Sequence, residues 1–115
     1  MDEILEQTLL YDFYGELLTE HQQKVYEDVV FNDLSYSEVA KEQGISRQGI
    51  YDMIKRINRI LMGYEEKLHL VEQFLKARKL ASQIHALADN YLAERNLEDI
   101  YEIRELSAEM MELQN

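Results

Sequence analysis

The chain contains no cysteine, no proline and no tryptophan, and only four of its 115 residues are glycine. Without cysteine, disulfides and thiolate metal sites are excluded. Without proline the strongest helix breaker is missing, and so few glycines leave nearly every segment free to be helical. No 18 apolar residues run together, so nothing reads as a membrane-spanning helix. Met1-Asp2-Glu3 is acidic where a signal peptide is basic, and no apolar stretch follows it, so a cytoplasmic protein with no membrane partner is expected. Bases are scarce as well: 12 Lys and Arg stand against 23 Asp and Glu, for a net charge of −11.

What is present is helix-forming material. An apolar content of 46% suits a globular protein and is too high for a disordered one. The length allows one small domain plus an extension, and the expected class is all-α. Ile4, Leu5, Leu9, Leu10, Phe13, Tyr14, Leu17 and Leu18 recur at three- and four-residue steps, which predicts an amphipathic helix over about residues 2–17. Thr19 and Gln22 form a capping box that starts a second helix at Glu20 and carries it to about Phe31, with Val25, Tyr26, Val29 and Val30 inward. Asn32-Asp33 supplies a turn.

A second capping box, Ser35 with Glu38, opens a short third helix that ends near Gln43. Gly44 takes the position after the helix end, where a left-handed backbone favours glycine. Ser46 caps a fourth helix whose Ile50, Ile54, Ile57 and Leu61 face inward, with Met53 beside them. Gly63 predicts a bend or break. Beyond it Tyr64, Leu68, Val71 and Leu75 form one apolar seam, and Leu80, Ile84, Leu87 and Tyr91 a second after a change of phase. A last helix over about residues 98–113 follows a loop at 94–96 and carries Ile100, Ile103, Leu106, Met110 and Leu113. The expected organisation is a helix-turn-helix domain of DNA-binding type over 1–63 and a helical extension over 64–115. The stripes of that extension have little company of their own, so it is read as a dimerisation region and the protein as a homodimer.

The stretch "LSYSEVAKEQGISRQGIYDMIKRI" carries the chemistry. A helix-turn-helix needs a small residue where its helices cross, a turn residue tolerant of the left-handed region, and apolar residues to lock the pair. Ala40 and Gly44 meet the first two needs, and Val39, Ile45, Ile50 and Met53 the third. Gln43, where an apolar residue usually precedes the turn glycine, departs from the pattern. Arg47, Gln48, Tyr51, Asp52, Lys55 and Arg59 are left facing outward.

The charge along the chain is uneven. Residues 1–18 sum to −5, 19–63 to −1 and 64–115 to −5, whereas residues 46–60 alone sum to +3. In a major groove Arg47, Gln48 and Tyr51 lie nearest the base edges, and Lys55, Arg56 and Arg59 hold phosphates farther along. Ser35, Tyr36 and Lys41 add backbone contacts from the preceding helix, and Ser46 completes the set at the start of the fourth.

The segment "LTEHQQKVYEDVVFNDLSYSEVAKEQGISRQGIYDMIKRINRIL" resembles the fourth conserved region of bacterial sigma factors, which reads promoter DNA. With "YEEKLHL" following, it is more similar to the YlxM-like family of helix-turn-helix proteins, encoded beside the signal recognition particle genes of Gram-positive bacteria. The likeness runs from about Thr8 to Leu75, and "SRQGIYDMIKR" is its most specific part. It implies a sigma-like helix-turn-helix fold and a regulator that binds DNA and is linked to the signal recognition particle pathway. The alternative it leaves open is a non-catalytic module that binds the particle's protein or RNA.

An enzyme finds no residues to rest on. His21, His69 and His85 are too far apart for a local metal motif, and neither HExxH nor an EF-hand loop occurs. No glycine-rich phosphate loop is present, and the acids are spread over helix surfaces rather than paired. No catalytic residue, cofactor or metal is expected.

Overall fold

The computed structural model describes residues 3–113, so Asp2, where the first helix was expected to begin, lies outside the described residues. Six α-helices occur in it, and among the described residues there is no strand. Helix α1 spans Glu3–Tyr14 and closes in a single 3-10 turn, Gly15–Leu17. Leu9, Leu10, Tyr14 and Leu18 are buried, whereas Ile4, Leu5, Phe13 and Leu17 are exposed. The stripe is narrower than the sequence suggested. Successive residues of a helix point about 100° apart, so with Tyr14 turned inward Phe13 is carried towards solvent, although Leu9 and Leu10 are both covered.

Helix α2, Glu20–Tyr26, starts on the expected capping box: Gln22 N donates to Thr19 Oγ1 at 3.1 Å, and Thr19 N to Gln22 Oε1 at 3.0 Å. Its end widens into a π-helix, Glu27–Phe31, in which Asn32 N donates to Glu27 O at 2.9 Å. The wider turn carries Asp28 inward until it is 3% exposed. Asn32 Nδ2 donates to its Oδ1 at 3.1 Å, and Lys24 Nζ lies 3.0 Å from its Oδ2. These two partners, Lys24 first, hold the Asp28 carboxyl below the usual carboxylate value against the opposing effect of burial. Val25 and Tyr26 are fully buried, and Val29 and Val30 half-buried.

Helix α3 spans Tyr36–Gln43, with Ser35 Oγ accepting from Glu38 N at 3.1 Å. Gly44 follows at φ 71°, the left-handed conformation a side chain would disfavour, and its N–H donates to Ala40 O. Ser46 Oγ accepts from Gly49 N at 3.0 Å and opens α4, Arg47–Leu68. Ile50, Ile54, Ile57 and Leu61 are buried along it.

The break expected at Gly63 does not occur. Helix α4 runs through that glycine, and a Cβ there would have nothing within 4 Å. The glycine serves no close approach, and its cost of about 1 kcal/mol in a helix interior is absorbed by the packing of the helix around it. The helix stops at His69, whose φ of 57° is left-handed. The seam read through Tyr64, Leu68, Val71 and Leu75 is therefore divided between two helices.

The chain separates into two compact units on either side of the His69–Leu70 link. The first is built on α4. Tyr26 Oη donates to Asn58 Oδ1 at 2.7 Å, and Tyr14 Oη to Glu65 Oε1 at 2.5 Å, so two buried tyrosines from α2 and α1 grip α4 at points about two turns apart. Tyr11 stacks on Tyr26 with ring centroids 5.3 Å apart and planes at 15°. The second unit is a pair of helices, α5 at Leu70–Glu94 and α6 at Leu97–Leu113, joined through Arg95 at φ 56°. Asn90 Nδ2 donates to the buried Asp99 at 2.6 Å across that turn. No described helix is long and apolar enough to cross a membrane.

Candidate nucleic-acid interface

Helix α4 fixes one face and offers the other. The four buried residues on one side leave Arg47, Gln48, Tyr51, Asp52, Lys55, Arg56 and Arg59 exposed. Arg47, Tyr51 and Lys55 follow one another at four-residue steps and so form a single row, about 12 Å from first to last at 1.5 Å per residue. Arg59 extends the row by one more turn, and Arg56 points about 100° round from Lys55.

Three contacts organise this face. The Tyr36 and Tyr51 rings meet edge to face, 5.9 Å apart at 73°, and join the start of α3 to the exposed side of α4. Lys55 Nζ lies 5.5 Å from the centre of the Tyr51 ring, a cation–π contact. Gln48 Nε2 donates to Asp52 Oδ1 at 3.0 Å, which orients its amide and leaves the carbonyl oxygen and one N–H outward. Tyr36, Arg47, Gln48 and Tyr51 together line an open cleft. Among the described residues Arg47, Lys55, Arg56 and Arg59 form no ion pair.

The remaining residues of the expected set sit around it. Ser35 and Ser46 are exposed, and each hydroxyl oxygen accepts a helix-capping bond, so each O–H proton is free to be donated. Lys41 is exposed on α3. Val39, Ala40 and Ile50 are buried as the motif requires, but Ile45 is 42% exposed and locks the pair less than its type suggested. Its side chain lies where a Cβ on Gly49 would reach, so it covers the first turn of α4 rather than the core.

Gln43 has a reason to be polar. Its Oε1 lies 2.9 Å from His21 Nε2, tying α3 to α2 where a conventional unit has an apolar contact. Sequence reasoning missed the aromatic contact between Tyr36 and Tyr51 and the tyrosine anchors at Asn58 and Glu65. Those contacts join different helices and have no local signal, whereas the i, i+4 spacing of Tyr51 with Lys55, and of Gln48 with Asp52, was the available signal for the other two contacts of the α4 face. Among the described residues no group of three or more His, Asp or Glu side chains is gathered to hold a metal.

Comparison with known proteins agrees with this architecture. The profile of a family described as "Putative helix-turn-helix protein, YlxM / p13 like" matches residues 1–103. A UPF0122 protein of Thermoanaerobacter sp. (strain X514) is 40% identical over 116 residues, covering 97% of each chain. One of Acetivibrio thermocellus is 46% identical over 84 residues, which are 73% of this chain and 72% of the relative. One of Halalkalibacterium halodurans is 38% identical over 97 residues, 84% of this chain and 89% of its own.

Proposed function

The chain belongs to this UPF0122 family of YlxM / p13-like helix-turn-helix proteins, and from that premise we propose that it binds duplex DNA as a regulator, with α4 as the reading helix. The observation that carries the reading is the row Arg47, Tyr51 and Lys55, exposed, free of ion pairs among the described residues and backed by a helix whose opposite face is locked in the core. Arginine and glutamine at the start of such a helix suit guanine and adenine edges, and the Tyr51 ring suits a thymine methyl group. Lys55, Arg56 and Arg59 neutralise phosphates, with help from Lys41 and the two capping serines.

The net charge of −11 is compatible with this because screening is local. The Debye length is about 8 Å at physiological salt, so acids farther than that from the reading face weaken binding without preventing it. The consequence is poor non-specific affinity, so that discrimination rests on base contacts.

The test is selection of bound duplexes from a random pool, followed by titration of the selected and scrambled sequences. A recurrent sequence bound more tightly than its scrambled form supports the reading. Equal binding of both, or binding confined to the signal recognition particle's RNA or protein run in parallel, overturns it. The particle is the partner implied by the alternative reading of the resemblance, so those arms decide between the two.

A further inference from the structure

Helices α5 and α6 enclose too little to stand alone. Among residues 70–113 Val71 is the one buried apolar side chain. A two-helix layer buries one stripe per helix at best, and units of this size usually depend on a partner. An open groove runs along the pair. Lys76 and Lys79 border it on α5, Glu109 and Glu112 on α6, and Leu80 and Leu106 lie between the rims. Asn90 of α5 meets Asp99 of α6 next to the turn, and positions 76–83 meet positions 106–113 at the far end, so the helices are antiparallel and the opposite charges stand at about the same level. The contrast extends over the helices: α5 has three acids and three bases, α6 six acids and one base.

We propose that this groove is covered by the same groove of a second copy, in a four-helix bundle with its twofold axis parallel to the helices. A half-turn about that axis exchanges the two rims and leaves the level along the helices unchanged. Lys76 and Lys79 of one copy then meet Glu112 and Glu109 of the other, twice over, because a twofold interface repeats each contact. Each helix gains an antiparallel neighbour on its second side, the up-down-up-down arrangement in which helix dipoles oppose one another. A twofold perpendicular to the helices sets α5 on α5 and α6 on α6, facing the strongly acidic helix with itself, and is disfavoured. A basic foreign protein matches the α6 rim but is opposed by Lys76 and Lys79. The groove carries its own complement.

The experiment is light scattering of the full chain at micromolar concentration, with two charge-reversed variants. One is Lys76→Glu with Lys79→Glu, the other Glu109→Lys with Glu112→Lys. All four positions border an open groove, and helicity by circular dichroism checks that the variants fold. The expected result is a wild-type mass twice that of one chain, and for each variant alone a dissociation constant raised by about tenfold or more. Mixing the two variants should restore a one-to-one dimer, since the all-acidic groove then meets the all-basic one. A monomeric wild type overturns the proposal. So does a dimer that both reversals leave unchanged, or a mixture that stays monomeric.

Discussion

Single residues decide both the hold on α4 and the character of its exposed face. Tyr26 is fully buried, and its hydroxyl donates to Asn58 Oδ1. Tyr26→Phe keeps the ring and its stack on Tyr11 but leaves Asn58 without a donor, so it should cost about 1 kcal/mol in thermal or urea unfolding at neutral pH. Burial, and then mutual repulsion with Tyr11, pushes the Tyr26 hydroxyl up to about 12. Burial and the neighbouring Glu27 push Tyr11 up to about 12 as well. A raised folded value means that stability is intact below the ordinary 10.0 and is lost as pH climbs from there towards 12. Melting curves should therefore fall more steeply above pH 10 for wild type than for Tyr26→Phe, and parallel curves would show that Tyr26 is not desolvated. Asp28 works at the other end: its folded value is depressed below 3.8, so its contribution holds above that pH and is lost as pH falls through the folded value. On the proposed reading face Asp52 orients Gln48, and its charge opposes any phosphate brought there. Asp52→Asn keeps an acceptor for the amide and removes the charge, so it should tighten binding to selected and scrambled duplexes alike, as anisotropy titrations would measure.

At the scale of elements, α4 is the frame on which the first unit is assembled. Its continuity through Gly63 is open to a direct test, because a methyl group there meets nothing. Gly63→Ala should raise stability by about 1 kcal/mol, the difference in helix propensity. Destabilisation would mean that the helix bends at that point. The sequence revealed helix starts well, since caps are local chemistry: Thr19, Ser35 and Ser46 each accept the backbone bond their spacing implies. It revealed ends less well. Gly63 looked like a terminator, whereas His69 adopts the left-handed turn, a conformation its residue type does not announce. The π-turn at Glu27–Phe31 was hidden for a related reason, because its extra residue brings in Asp28, a type ordinarily read as exposed. Of the candidate interface, the exposed row on α4 followed from its inward isoleucines, but the meeting of Tyr36 with Tyr51 joins two helices and has no signature in spacing along one of them.

For the molecule as a whole, the proposed DNA binding through the +3 stretch at residues 46–60 of a chain of net charge −11 rests on few phosphate contacts. The proposed twofold symmetry through the α5–α6 groove doubles that stretch and predicts that a selected sequence is an inverted repeat. The central claim is that α4 reads bases at its start and phosphates farther along. The measurement that tests it most directly is a salt titration, over about 50 to 200 mM, of wild type, Arg47→Ala and Lys55→Ala on the selected duplex and its scrambled form. Arg47→Ala should narrow the gap between the two duplexes by about 1–3 kcal/mol per half-site. Lys55→Ala should weaken both equally and lower the slope of log affinity against log salt by about one per protein chain bound. Neither should change the melting temperature, since both side chains are exposed. Wild-type binding that is absent at the lowest salt, or that both substitutions leave untouched, would contradict the account.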